Sequence, residues 1–204
     1  MNPSKESIEK IIEWEIGDRA YYNKYLSHFT WPGGASGVTV GFGYDLGYYT
    51  KEQIIVAWCN KIDGSVLVLM LECAGIKGVM AKSKINDMMQ KATIPYDVAM
   101  EVFKETILPD EIKKTENTYP GVNELSEDAQ GALLSLIYNR GTSFTDSEGK
   151  DNRKEMREIA PLVLEKDYHG IAEKLRSMKR LWKGKGLDGL IRRREGEAKL
   201  VEAS

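Results

Sequence analysis

Cysteine is nearly absent from this chain of 204 residues: only Cys59 and Cys73 occur, too few for a disulfide framework. Both sit in apolar surroundings, Ala57–Trp58–Cys59 and Leu71–Glu72–Cys73, which reads as two buried free thiols. Histidine is equally scarce. His28 and His169 stand alone, with no His-Glu-x-x-His and no Cys/His cluster, so a catalytic zinc is not expected. There is no long hydrophobic run. The longest, Val66 to Leu71, is far too short to span a bilayer, so no stable membrane insertion is expected. The opening "MNPSKESIEK" lacks an apolar core of signal-peptide length, which reads as synthesis in the cytoplasm as a soluble protein. Charge of one sign is also missing. A net charge of −2 argues against a general nucleic-acid binder.

Two nucleotide signatures are absent as well. "GFGYDLG" spaces its glycines wrongly for a dinucleotide fingerprint, no Lys-Ser/Thr follows for a phosphate loop, and "GKGLDG" at Gly184–Gly189 is only a loop. No Gly-x-Ser-x-Gly elbow occurs. The chemistry left to the chain is that of its carboxylates.

What is present suffices for a real core in one large domain, or in one domain with two lobes. Charge is uneven. Residues 1–149 carry 14 Lys and Arg against 21 Asp and Glu, whereas residues 150–204 carry 15 against 10. The basic C-terminal part would suit an anionic polymer, and reads equally well as a solvated helical surface. Helical periodicity dominates. Ser4 or Ser7 caps a first helix to about Ile16, stopped by Gly17, and Thr50 with Gln53 forms a capping box for a helix to about Ile62. Further helical patterns run over 65–74, 82–91, 96–108, 126–139, 153–165, 169–178 and 188–202, with Pro95, Pro109 and Gly141 among the breakers. Tyr21 to Tyr48 differs, being rich in glycine, aromatics and β-branched residues. The layout is α+β and mostly helical, with a small β-rich lobe over about 18–48 and a helical part made of 1–17 and 50–204.

The first helix carries a misplaced charge. Ile8, Ile11 and Ile12 form an apolar stripe, and its next position is Glu15, which points between Ile11 and Ile12. A core-facing carboxyl is costly unless paired or used, and burial would raise its pKa as a general acid requires. A salt-bridged carboxylate at a frayed helix end is the alternative.

"SGVTVGFGYDLG", Ser36 to Gly47, alternates like a strand. Val38, Val40, Phe42 and Tyr44 face one way, and Thr39, Gly41, Gly43 and Asp45 the other. The second face reads as a cleft floor where a substrate meets bare backbone. Fully extended, Thr39 and Asp45 would be roughly 20 Å apart, so the chain must bend at Gly43 for them to cooperate. A hairpin with turn glycines is the alternative. A Glu, an Asp and a Thr around a cleft are the minimal kit for glycoside hydrolysis.

Glu15 ending a first helix, followed by "SGVTVGFGYDLG", resembles the phage-type lysozymes and endolysins of glycoside hydrolase family 24. The likeness is closer to their pesticin-like branch, where the catalytic Asp follows the Thr by six positions, as Asp45 follows Thr39. The family His after the second glycine is replaced by Tyr44, so its role is not carried over. "ALLSLIYNRGTSF" (132–144) and "GLDGLIRRREGEAKL" (186–200) also resemble family stretches, so the likeness spans nearly the whole chain. It implies a single lysozyme-like catalytic domain over 1–204, two-lobed, with the cleft between lobes.

By that resemblance the protein is a muramidase that cuts the β-1,4 bond between N-acetylmuramic acid and N-acetylglucosamine, a bacteriolytic enzyme without metal or cofactor. Glu15 would be the general acid, Asp45 would activate a water, and Thr39 would hold it. Gly41, Gly43, Tyr44, Asn139 and Arg140 would bind substrate, although Asn139 and Arg140 read equally as a helix cap before Gly141. Arg193 or Arg194 would pair with Glu15 or the substrate, or else with Glu197. The partners implied are peptidoglycan glycan strands and an immunity or inhibitor protein, for a monomer that acts on the cell wall in the periplasm after release or delivery. The chain opens at the catalytic helix without the import region of a pesticin-like bacteriocin, so a phage endolysin and a secreted antibacterial effector both fit. The rival readings are a lytic transglycosylase, another glycan hydrolase, or a glycan-binding module without activity.

Overall fold

The computed structural model describes residues 1–203. In chain order the elements are α1 (Lys5–Ile16), α2 (Arg19–Tyr21), β1 (Thr39–Val40), β2 (Tyr44–Asp45), α3 (Lys51–Trp58), α4 (Gly64–Leu71), α5 (Gly78–Lys84), α6 (Asp87–Lys91), α7 (Tyr96–Val102), α8 (Leu108–Thr118), α9 (Glu127–Arg140), α10 (Lys154–Glu165), α11 (Tyr168–Ser177) and α12 (Asp188–Glu202). The protein is mostly helical α+β, with one small antiparallel sheet among the described residues. None of the described helices is long and apolar enough to cross a membrane. The chain forms two compact units, Met1–Trp14 with Asp110–Ser204, and Glu15–Pro109.

The first unit is built around α9. Ser126 caps it by accepting from the Ala129 N–H (3.2 Å), and Gly141, at φ +72°, ends it. Ala129 through Ile137 are all buried, as in a helix covered on every side. Helices α11 and α12 pack together, α12 lies on α9 and α10 on α11. Leu133, Leu136, Met156, Ile159, Ile171, Leu175 and Val201 fill the space between them. At the other end of the chain, Ser4 rather than Ser7 caps α1, since its hydroxyl accepts from the Ser7 N–H (3.1 Å). That hydroxyl also donates to Asp128, and the Ser4 N–H donates to the Glu127 carbonyl (3.1 Å), so α1 starts on the start of α9.

The second unit holds fewer strands than the sequence pattern predicts. Residues 19–26 form α2 and one turn of π-helix, and pairing is confined to the two-residue strands β1 and β2 plus isolated bridges Thr30–Thr39 and Gly37–Lys77. Aromatic rings supply the packing that a sheet would have given. Phe42 meets Tyr22 and Tyr96 edge-on at 5.1 Å each, and Tyr44 stacks on Tyr49 (4.1 Å) and stands edge-on to Trp58 (5.4 Å). The Thr50–Gln53 capping box opens α3, which stops at Trp58.

Other boundaries also move. The helix read over 82–91 is two, because Asn86 accepts from the Met89 N–H (3.0 Å) and starts α6 afresh. Pro109 does not break the chain. It falls in the first turn of α8, where its missing N–H is not needed, after a π-helical turn in which the Leu108 N–H reaches the Phe103 carbonyl. Cys73 is buried as expected, whereas Cys59, just past the last residue of α3, is exposed.

Candidate functional site

Thr39 and Asp45 are brought together by the hairpin. The extended strand read over 38–45 is replaced by two short strands in the register Thr39↔Asp45 and Val40↔Tyr44. The Leu46 N–H donates to the Val38 carbonyl (2.9 Å), a pattern that makes Thr39 and Asp45 a non-hydrogen-bonded pair. In such a pair the side chains share one face and are at their closest, about 4.5–5.5 Å between Cβ atoms. The chain reverses through Gly41 (φ +58°) and Gly43 (φ +85°), in the left-handed region that glycine enters without strain.

That turn gives both glycines a backbone role of their own, and at Gly41 it leaves little free space. A Cβ on Gly41 would stand 3.2 Å from Ala99 Cβ and 3.3 Å from Trp58 Cη2, so the space beside it is filled by protein. Backbone conformation is sufficient reason for glycine at both positions. The reading of Tyr44 is corrected. It is 1% exposed between Tyr49 and Trp58, and its side chain belongs to the core.

Asp45 is half-buried and held in place by backbone amides. Its Oδ1 accepts from the N–H groups of Gly37 (3.0 Å) and Gly47 (2.9 Å), and its Oδ2 accepts from Gly37 (3.0 Å). A Cβ at Gly37 would fall 2.3 Å from Oδ1, so only glycine admits the carboxylate there. Sequence reading missed Gly37. The bond to Gly47 was legible, because Asp-Leu-Gly is a local motif in which a carboxylate accepts from the amide two residues on. The Thr39 Oγ1 is buried with no hydrogen-bond partner among the described residues. A buried hydroxyl without a partner, directly across from a carboxylate fixed in orientation, marks a position that core packing alone does not explain.

Glu15 does not have the burial its helical position predicts. Ile11, Ile12 and Ile16 are buried, yet Glu15, whose direction lies between those of Ile11 and Ile12, is exposed. Ile8, on nearly the same bearing, is only half-buried. The middle of the stripe is therefore open to solvent while its two flanks are covered. The helical wheel gives the bearing of a side chain and not what stands in front of it. The side chain of Glu15 is thus exposed to solvent.

In the first unit, Asn139 and Arg140 are half-buried at the end of α9, and the Gly141 N–H closes that end on the Ile137 carbonyl (2.7 Å). The Asn139 Oδ1 accepts from Arg194 Nη2 (3.3 Å), and Arg140 Nη2 donates to the Asn152 carbonyl. Arg193, Arg194 and Glu197 are buried together. Glu197 Oε1 accepts from Arg194 Nη2 (2.7 Å) and the Ser135 hydroxyl (2.5 Å), and Arg193 donates to the Ser135 carbonyl (2.9 Å). The ion pair with Glu197 read from the sequence is therefore present. Buried charges of this kind are tolerated when paired and hydrogen-bonded. Among the described residues, no group of three or more His, Cys, Asp or Glu could hold a metal ion.

The family model for phage lysozyme matches residues 60–197. That stretch contains Asn139, Arg140 and the Arg192–Arg194 run, and it begins after Glu15, Thr39 and Asp45. No curated protein matches the chain.

Proposed function

The chain belongs to the phage lysozyme family, a family of peptidoglycan hydrolases, and within it we propose a muramidase that cuts the β-1,4 bond between N-acetylmuramic acid and N-acetylglucosamine. The observation that carries this reading is the Thr39–Asp45 pair. The Asp45 carboxylate, oriented by the Gly37 and Gly47 amides, takes the proton of a water that the Thr39 hydroxyl holds. Glu15, exposed at the end of α1, protonates the leaving glycosidic oxygen. The six-residue step from Thr39 to Asp45 favours the pesticin-like branch. We read the chain as one catalytic domain, monomeric and bacteriolytic, that acts on the cell wall and needs no metal or cofactor.

Lysis of outer-membrane-permeabilised cells tests the assignment. Glu15→Gln should remove more than about 99% of the activity, since general acid–base help is worth roughly 10²–10⁴-fold. Glu13→Gln, the control on the same helix, should retain it. Mass analysis of digested sacculi should give hydrolysed muropeptides. Anhydro-sugars would instead assign a lytic transglycosylase, and an active Glu15→Gln would remove the general acid from this scheme.

A further inference from the structure

Glycan hydrolysis leaves one feature of the first unit without a task. A pocket of about 470 Å³ lies between the end of α9, the loop before α10 and the turn after α11, with Arg140, Lys150, Asp151, Arg180, Trp182 and Lys185 in its wall. Its charges do not cancel. Asp151 is engaged by Arg180 (Oδ2 at 3.3 Å) and by Arg157 (3.8 Å). Arg180 Nε and Nη2 also donate to the buried Glu155 (2.5 and 3.1 Å), and Nη2 to the Asp151 carbonyl (2.8 Å). One cation and the acids are thus used on each other.

Three cations remain. Among the described residues, no carboxylate stands within ion-pair distance of Arg140, Lys150 or Lys185. Lys150 and Lys185 are exposed, and Lys185 donates only to the Leu181 carbonyl (2.8 Å). Arg140 is the most constrained. Its guanidinium lies 5.1 Å from the centre of the Trp182 ring, and its Nε is buried with no hydrogen-bond partner among the described residues. Burial, and then the nearby Arg153 guanidinium, pull its pKa below the usual arginine value, so its positive charge is held at a cost. A fold that keeps such a group in one pocket wall with two ammonium groups that have no carboxylate partner has built a place where an anion is favoured.

We propose that this pocket binds a phosphate group in its dianionic form, as inorganic phosphate or as a small phosphomonoester. A carboxylate brings one charge and two coplanar oxygens. A phosphate dianion brings two charges and three acceptor oxygens pointing in different directions, which suits a guanidinium and two ammonium groups on separate segments. The pocket is larger than the ion, and Trp182 leaves an apolar wall for the carbon skeleton of an ester. Glu15, Thr39 and Asp45 do not line the pocket, and binding, not lysis, reports on it.

Isothermal titration of the full chain at low ionic strength and about pH 8, where the probe is mostly dianionic, decides the matter. Inorganic phosphate and glucose 6-phosphate should bind saturably, and acetate at matched ionic strength should not. Tighter binding of glucose 6-phosphate assigns the site to an ester, and equal binding assigns it to the free ion; either supports a phosphate site. The double variant Lys150→Ala/Lys185→Ala changes only exposed side chains and should weaken both probes by about tenfold or more. Arg140→Gln should do the same. Absence of saturable phosphate binding, acetate binding equal to phosphate, or undiminished affinity in the double variant would each overturn the proposal.

Discussion

Thr39 stands directly opposite Asp45 across the β1–β2 hairpin, and its hydroxyl is buried without a hydrogen-bond partner among the described residues. A protein core does not usually leave a hydroxyl in that state, because a buried polar group without a partner costs about 1–3 kcal/mol. The position therefore separates a structural role from a functional one.

Thr39→Val is the variant that does so. Valine keeps the β-branched shape that suits a strand and removes only the unpartnered hydroxyl. Stability in urea should equal that of the wild type or exceed it by about 1–2 kcal/mol. Turnover in the lytic assay should nevertheless fall by about tenfold or more, with substrate affinity little changed. A stability loss that accounts for the whole loss of activity would make Thr39 a packing residue.

The hairpin itself was half legible. The alternation Val38–Val40–Phe42–Tyr44 marks an apolar face, and all four residues are indeed buried. The reversal is legible only through its glycines, whose spacing fits both an open strand face and a turn. Positive φ at Gly41 and Gly43 settles it as a turn. Glu15 shows the complementary difficulty. Periodicity put it on the buried face of α1, and it is exposed there, because what covers a helix is set by residues distant in sequence. The capping motifs fared better. Ser4, and Thr50 with Gln53, act within a few residues, and their helices start where the sequence says they do. The buried Arg193–Arg194–Glu197 group lay between these extremes, with its spacing on α12 readable and its Ser135 partner on α9 not.

If strain is the reason for glycine in the hairpin turn, substitution should act on stability first. Gly41→Ala forces a left-handed L-residue and presses on Ala99 and Trp58, and should cost more than the roughly 1–2 kcal/mol of backbone strain alone. Gly43→Asn should cost less than Gly43→Val, since asparagine tolerates positive φ and a β-branched residue does not. Urea titrations rank the variants, and lysis per folded molecule should stay near wild type. Loss of lysis at full stability would return the two glycines to the substrate-binding surface.

The two cysteines should differ in reactivity. Cys59 is exposed and should react with a thiol reagent in the native protein, whereas Cys73 should react only on unfolding. Burial pushes the Cys73 thiol up to about 11 from its ordinary value of 9.0. The folded state thus retains a proton that the unfolded chain releases. The resulting stability is complete below about pH 9 and is lost as the pH rises through about 11. Cys73→Ala should flatten that part of the stability–pH curve. Equal labelling of both thiols in the folded protein would contradict the burial of Cys73.

Stereochemistry tests the roles of Thr39 and Asp45 together. If Asp45 activates a water held by Thr39, cleavage is a single displacement, and the sugar freed from a β-linked strand appears first as the α-anomer. Were Asp45 a nucleophile instead, a covalent glycosyl-enzyme would form, and its hydrolysis would return the β-anomer. The arrangement of Asp45 favours the first course. Its Oδ1 accepts from the Gly37 and Gly47 N–H groups and its Oδ2 shares the Gly37 N–H, which fixes the orientation of the carboxylate on the side chain that stands opposite Thr39. A hydroxyl directly opposite can position water, and adds nothing to a carboxylate that attacks carbon. NMR of freshly cleaved product, read before mutarotation, should show the α-anomer. Asp45→Asn should then be severely impaired, and added azide should restore turnover by taking the place of activated water as the nucleophile. A β-anomer as first product, or a glycosyl group trapped on Asp45, would reverse the assignment.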